Sequence, residues 1–313
     1  MRIAILTPKG FELREQDVPA CADDQVLIKT ITCGVCEGDL FTYRSVMGAA
    51  DGAETTMGHE GTGVVAAVGE RVRGFAEGDT VTSLYGAYPD YWVSPPELLL
   101  RVPGNIDPVM AMGEPVACCV HAANRFGIHL GDRVALVGCG FMGLTCLQLA
   151  RLQGAATVVA FEPIAWRRKQ ALALGADIAV DPTDQSVEDL LRVYGAFDVV
   201  LEATGVQPAV DLCGELVRQH GHIVFIGYHQ TNGGMRTVNM KMWNFKAIDV
   251  VNGHVRRDDE KLVAMRQGLN LIAAGRLSVA PLVTAYPFDR IGQAFQDLDQ
   301  RKEGLYKVAL VML

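Results

Sequence analysis

Cys36, His59 and Glu114 are the residues of this chain whose types could do chemistry together. A thiolate, an imidazole and a carboxylate make a borderline-soft donor set suited to Zn²⁺, and three protein donors leave a fourth position open for water or substrate. Taken alone, each has an ordinary explanation: Cys36 as a small turn residue, His59 as a satisfied polar side chain, Glu114 as a carboxylate at a helix start. Their neighbourhoods add weight. Asp39 follows Cys36 closely, Glu60 follows His59 directly among glycines that permit close backbone approach, and Glu114 precedes Pro115 at a helix entrance. Cys118 and Cys119 are the alternative to Glu114, although two adjacent thiols at a helix start seldom both face one metal.

A second group suits a pyrophosphate. Gly138-Cys139-Gly140-Phe141-Met142-Gly143 has G-x-G-x-x-G spacing, follows a short apolar run over 133–137, and leads to Leu144, Leu147 and Ala150 on one helical face. Gly138 would make the tight turn, Gly140 leave room for the phosphates, and Gly143 let helix and strand pack closely. The free N–H groups of the helix start, around Phe141 and Met142, would face the anion. Residues 156–161 read as a second strand ending in Glu162, 24 residues after Gly138. A carboxylate there accepts the ribose hydroxyls of NAD and repels a 2′-phosphate. Arg167, Arg168 and Lys169 would suit NADP, but they fall in the following helix, where a solvated face explains them. The plainer alternative for the motif is a glycine-rich turn in some other α/β protein.

Positioning both groups takes two scaffolds, and 313 residues are long for one core. Residues 1–32 alternate as strands, 33–39 read as a turn and 45–57 as a loop. Residues 57–69 form a glycine-broken strand, 74–82 a turn and a further strand, and 91–102 one more. This β-rich stretch predicts a compact, partly open barrel. From Met110 the character changes to strand–helix units over 133–150, 157–174, 178–193, 198–219 and 222–227, which predicts a parallel, doubly wound sheet. His220 and His222 read as a turn before the strand at 222–227. Residues 246–251 look like the last strand, 258–274 and 288–300 like amphipathic helices, and 306–312 like a closing strand. The apolar segment 240–252 would suit a symmetric contact between two copies along a sheet edge.

Composition narrows the function classes. Half the residues are hydrophobic and 20% are charged, which is ordinary for a globular protein. A net charge of −8 argues against a nucleic-acid or anionic-membrane partner. The apolar run at the N-terminus is too short for a signal peptide, and the one stretch that could imitate a membrane span, 134–150, holds the glycine motif. Eight scattered cysteines fit a cytoplasmic protein with reduced thiols, in which metal binding is a more natural special role than disulfides.

Cys33-Gly-Val-Cys-Glu-Gly-Asp39, Gly58-His-Glu-Gly61 and the glycine motif resemble the zinc-dependent medium-chain dehydrogenase/reductase (alcohol dehydrogenase-like) family. Glu114-Pro-Val-Ala-Cys-Cys-Val-His-Ala122 resembles the Glu-Pro element of its sorbitol (polyol) dehydrogenase branch. The resemblance runs along essentially the whole chain. It implies an α/β protein with a β-rich, GroES-like, partly open barrel as catalytic domain (1–115 and 254–313) around an inserted Rossmann domain (116–253). It also implies hydride transfer between NAD and a secondary alcohol, with a polyol, sugar or cyclitol as the small-molecule substrate, in a homodimer or homotetramer. Carried over by position, Cys36, His59 and Glu114 match the ligands of one catalytic zinc. Asp39 matches the acid behind them, Glu60 the carboxylate that approaches the metal or its water, and Lys307 a basic residue near the pyrophosphate.

Three departures from the family pattern matter. The four-cysteine lobe that often holds a second zinc has no counterpart between Cys36 and Cys118, so the expectation is one zinc. Gly38 stands where a Ser or Thr usually takes the alcohol proton, and Phe41 where a His often completes the relay. A missing relay leaves Glu37, Glu60, solvent or the substrate as proton acceptor. It also motivates a rival reading, a lyase or epimerase that oxidises transiently with retained NAD. A third reading is a cofactor-binding homologue that has lost catalysis.

Overall fold

A computed structural model describes residues 1–50, 52–86 and 88–312; Asp51, in the expected 45–57 loop, Ala87 and Leu313 lie outside the described residues. The chain divides into two compact units, one of Met1–Ala117, Arg257–Gly275 and Val279–Leu313, the other of Cys118–Arg256 and Arg276–Ser278.

The first unit opens with strands β1 (Arg2–Thr7) and β2 (Gly10–Glu15), an antiparallel hairpin. Strand β3 (Val26–Gly34) leads to helix α1 (Glu37–Met47), followed by β4 (Glu60–Val68), β5 (Thr80–Ser83), β6 (Tyr91–Ser94) and β7 (Leu99–Arg101). Two expectations are corrected here. Residues 33–39 are not merely a turn, because β3 runs through Gly34 and α1 begins at Glu37, extending into the expected loop. Cys36 caps this helix: its sulfur accepts from Gly38 N at 3.4 Å while the Asp39 carboxylate accepts from Cys36 N at 2.9 Å, a capping box built on a thiol. The single strand expected over 91–102 is two, since Pro95 and Pro96 cannot donate to a ladder and a 3₁₀ turn at Pro96–Leu98 intervenes.

Helix α2 (Gly113–Ala123) spans the point at Cys118 where the second unit begins; that unit then alternates β8 (Arg133–Val137), α3 (Phe141–Gln153), β9 (Thr157–Phe161), α4 (Ala165–Ala173), β10 (Ile178–Val180) and α5 (Val187–Tyr194). It continues through β11 (Phe197–Glu202), α6 (Gln207–Leu216), β12 (Val217–Phe225), α7 (Met240–Lys246) and β13 (Asp249–Asn252). All six strands are parallel, in the order β10-β9-β8-β11-β12-β13, so the direction of winding reverses between β8 and β11. That is the doubly wound dinucleotide arrangement, whose ligand crevice opens at the carboxyl ends of the strands on either side of the reversal. Near-continuous apolar strands such as Val134-Ala-Leu-Val137 are buried on both faces, as a covered parallel sheet requires. Lys246 ends a helix rather than starting the last strand, and His220 and His222 lie within β12.

The chain then returns to the first unit with α8 (Asp258–Ala273), β14 (Val283–Pro287), α9 (Ile291–Asp299) and β15 (Lys307–Val311). Strand β15 pairs with β3, giving a seven-stranded sheet in the order β14-β15-β3-β4-β5-β7 with β6 also on β3. Tyr88, Phe288 and Phe295 fill one core of this unit, and Ile28, Val81 and Trp92 another. The expected α/β combination of a GroES-like barrel and a Rossmann sheet is present. Among the described residues no helix is long and apolar enough to cross a membrane.

Helix α3 depends on one absent side chain. A Cβ at Gly143 would lie 2.1 Å from the Gly138 carbonyl oxygen and 3.2 Å from Ala203 Cβ, inside closed-packed backbone. Gly143→Ala is expected to lower unfolding stability by about 1–3 kcal/mol through overpacking, read from the shift of the denaturant midpoint; an unchanged midpoint would show that this packing yields freely.

Candidate active site

In the first unit, strand pairing builds the metal group. Strands β3 and β4 run antiparallel with Cys33 opposite Gly61 and Gly34 opposite Glu60, which carries the start of α1 to the start of β4. Cys36 Sγ, a His59 ring nitrogen and a Glu60 carboxylate oxygen then all lie within 4.8 Å of one another, among the described residues the one such cluster of three or more His, Cys, Asp or Glu. Gly34 makes room for it, since a Cβ there would fall 1.9 Å from Glu60 Oε2.

Partners hold each donor in place. Asp39 Oδ2 accepts from Cys36 N at 2.9 Å and from the Tyr88 hydroxyl at 2.8 Å, leaving Oδ1 3.7 Å from His59 Nδ1. Asp39 thus ties Cys36, Tyr88 and His59 together behind the cluster. Tyr88 completes that support and was not foreseen, because nothing in the spacing of a buried tyrosine in a turn marks it. Burial, then the charge of Glu60, pushes the Cys36 thiol up to about 12, so a bound cation is what would make it a thiolate at neutral pH.

Two expectations differ from the structure. Lys307, expected near a pyrophosphate, is buried in the first unit with Nζ 2.6 Å from both Glu60 oxygens, donating to Oε1. Its strand explains this: β15 pairs with β3 at Ala309 opposite Gly34, which turns Lys307 inward toward Glu60. Burial disfavours the ammonium, but the Glu60 carboxylate outweighs it and raises the lysine above its usual range. Burial likewise raises the Glu60 carboxyl, with Lys307 pulling the other way. Glu114, expected as the third ligand, stands outside the cluster; its Oε1 accepts from Lys261 Nζ at 2.9 Å, an ion pair delivered by α8. Glu60 takes the carboxylate place in the donor set instead. Sulfur, nitrogen and oxygen donors at this spacing fit tetrahedral zinc with an open fourth position.

In the second unit the dinucleotide turn has the form its spacing predicts. Gly138 has φ +99°, and a Cβ there would strike Thr204 Cγ2 at 2.4 Å. Above Gly140 the space is open, with no heavy atom within 4 Å of an added Cβ. Phe141 and Met142 begin α3, whose N-cap Gly140 contributes no side-chain cap, and a helix start of this kind favours an anion. Glu162 ends β9, is buried, and accepts from Cys139 N at 2.8 Å and Ile164 N at 3.0 Å. Its carboxylate is thus anchored against the turn it follows. Arg168 is engaged with the Glu162 and Pro163 carbonyls and with Asp181. Glu202, at the end of β11, was also unforeseen; it is buried, accepts from Thr204 N and Gly205 N at 2.8 Å, and lies 3.0 Å from His229 Nε2.

Comparison with known proteins identifies relatives of both parts of the chain. The alcohol dehydrogenase GroES-like domain family matches residues 22–104, and the zinc-binding dehydrogenase family matches residues 142–269. A sorbitol dehydrogenase from Halalkalibacterium halodurans is 31% identical, across 72% of this chain and 77% of its own. A 2-dehydro-3-deoxy-L-galactonate 5-dehydrogenase from Pseudoalteromonas atlantica is 26% identical, across 95% and 94%. Among solved structures, the alcohol dehydrogenase TADH from Thermus sp. ATN1 shares the fold with a TM-score of 0.87 at 23% identity over the full length of both chains. A zinc-binding dehydrogenase from Sinorhizobium meliloti bound to NADP shares it with a TM-score of 0.86 at 24% identity, covering 99% and 98%. With a zinc-type donor cluster on a GroES-like barrel and a nicotinamide-dinucleotide turn on a Rossmann sheet, the chain belongs to the zinc-dependent medium-chain, alcohol dehydrogenase-like family of oxidoreductases.

Proposed function

We propose that this protein oxidises a secondary alcohol of a polyol, sugar or cyclitol to the ketone, with NAD⁺ taking the hydride and one proton released. The convergence of Cys36, His59 and Glu60 carries the reading. Zinc, when bound, supplies a Lewis acid that lowers the pKa of a substrate hydroxyl, and the nicotinamide supplies the hydride acceptor. Cys36, His59 and Glu60 would hold the metal, Asp39 would fix His59, and Lys307 would keep Glu60 in place. Two copies would pair through residues 240–252, which end in the edge strand β13 and expose Met240, Phe245 and Val250. Metal analysis and an NAD⁺-reduction screen over polyols, sugars and simple alcohols, on one preparation, test the proposal. About one zinc per chain with NADH accumulating is the expected result, and Cys36→Ala should lose the zinc. Turnover without net NADH would assign the redox-neutral alternative; a zinc-free, inactive preparation would assign the inactive one.

Cofactor choice rests on Glu162, whose carboxylate is fixed at the end of β9 by two backbone amides. It would accept the ribose hydroxyls and repel a 2′-phosphate. Wild-type enzyme should prefer NAD over NADP in kcat/KM, with the preference weakened or reversed in Glu162→Ala. Wild-type preference for NADP would remove this role.

The proton needs an acceptor other than the usual relay. Gly38 lies in the first turn of α1, where an added Cβ would meet only Cys36 Sγ, at 3.8 Å, and Phe41 is exposed. Glu60 is the carboxylate inside the donor cluster, and its Oε2, though 2.6 Å from Lys307 Nζ, receives no well-directed hydrogen bond. Glu60 would accept the proton there and pass it to solvent. Glu60→Gln should lower kcat by about two orders of magnitude with zinc content retained; loss of zinc would make Glu60 a ligand only. Adding Gly38→Ser, for which there is room, should recover part of the loss; full activity in Glu60→Gln would end the assignment.

A further inference from the structure

Four side chains beside the metal cluster form an array that the reaction itself does not need. Backbone packing fixes where they lie. Gly61, next to Glu60, sits against Gly86, so that a Cβ on Gly86 would be 3.1 Å from Gly61 Cα. Thr82 Oγ1 donates to the Gly61 carbonyl at 3.1 Å and abuts Gly113, whose added Cβ would lie 2.6 Å from the same oxygen. Tyr85 and Glu114 are the chain neighbours of Gly86 and Gly113, so both flank the start of β4, where the donors converge. From the first turn of α8, Lys261 Nζ donates to Glu114 Oε1 at 2.9 Å. At the first position of that helix, three residues before Lys261, Asp258 accepts from the Tyr85 hydroxyl, 3.2 and 3.3 Å from its two oxygens. Tyr85 is half exposed, so this end of the array meets solvent.

We propose that Tyr85, Glu114, Asp258 and Lys261 select a neutral polyhydroxyl substrate over a phosphorylated or carboxylated one. This rests on the alcohol-oxidation reading above. Two carboxylates, a phenol and an ammonium are alternating acceptors and donors, the complement of adjacent hydroxyl groups, each of which both donates and accepts. Charge decides against an acidic substrate. Two carboxylates set against one ammonium leave the array with a net negative charge, and a phosphate or carboxylate on the substrate would be repelled by it and desolvated at a cost. Lys261 has a positioning part as well: it holds Glu114 in a fixed orientation, so that the carboxylate is presented to substrate rather than free to turn toward the metal.

The test uses full-length, zinc-loaded enzyme and three probes: a neutral hexitol, the same hexitol as its 6-phosphate, and propan-2-ol. Steady-state kinetics are paired with calorimetric dissociation constants. Wild-type enzyme should bind and oxidise the hexitol in preference to its phosphate. Lys261→Met should lower the ratio of kcat/KM for hexitol to that for propan-2-ol by about tenfold or more, the size of one hydrogen bond to a charged group. The loss should be carried by KM, with partial rescue in Lys261→Arg. Asp258→Asn should narrow the preference for hexitol over its phosphate. A wild-type preference for the phosphate, or parallel loss toward hexitol and propan-2-ol in Lys261→Met, overturns the array while leaving alcohol oxidation standing. If no probe is oxidised, the oxidation reading fails. Calorimetry then decides the array separately: tighter binding of hexitol than of its phosphate supports it, and no hexitol binding overturns it.

Discussion

Glu60 and Lys307 stand 247 residues apart in sequence and meet in the interior of the first unit, with the ammonium 2.6 Å from the carboxylate. Taking two charges out of water costs several kcal/mol each, and only a close partner offsets it. Losing one member of such a pair costs about 3–5 kcal/mol, so the last strand is held to the sheet by charge as well as by its ladder with β3. The pair also explains why the donor cluster can exist before a metal arrives. Cys36, Glu60 and Asp39 are gathered in a small, largely buried space, and one internal cation keeps the carboxylates from repelling each other. Gly34 completes the arrangement by leaving space for Oε2 where any side chain would collide.

The same division of labour recurs one helix earlier. Acids and metal donors come from the N-terminal half of the first unit: Cys36, Asp39, His59, Glu60 and Glu114. Their countercharges, Lys261 and Lys307, come from the segments that return after the second unit. A first unit lacking that return would carry Glu60 and Glu114 without these ammonium partners. Chain order therefore has an electrostatic consequence: the barrel's polar interior is complete only when residues from its C-terminal segments are in place. Pairing Glu114 with Lys261 and Glu60 with Lys307 gives each of these two buried glutamates its own ammonium, and sets one of the pairs beside the metal donors.

The second unit works by different means. Its functional elements are backbone: a positive-φ glycine, an open space above Gly140, a close helix–strand contact at Gly143 and a start of α3 that no side chain caps. Glu162, the carboxylate beside the dinucleotide turn, is tied to the amides of Cys139 and Ile164. Anion binding at a helix start needs only that the amides converge and the dipole points outward, which a short strand–turn–helix segment achieves unaided.

That difference governs how much of each site was legible in the residues. The dinucleotide turn and Glu162 lie within one βαβ unit, so their roles follow from spacing along a few tens of residues, and the alternation of strand and helix around them declared a parallel sheet. Cys36, Asp39, His59 and Glu60 were legible too, as short motifs whose residue types suit a borderline-soft cation. Other features depended on tertiary contact. The capping box that turns 36–39 into a helix start relies on Asp39 reaching back, and Pro95 and Pro96 divide what looked like one strand. Glu60 rather than Glu114 joins the donors because β3 and β4 pair in one register and because Lys261, 147 residues beyond Glu114, claims that acid first. Lys307 lies against Glu60 because β15 pairs with β3 in a register that turns it inward. Sequence by itself determined which residues could act, through local spacing and chemical type. The partner each carboxylate takes was decided only in the folded protein, because a charge chooses among cations by distance through space, and that distance is set by strand register between segments far apart in the chain.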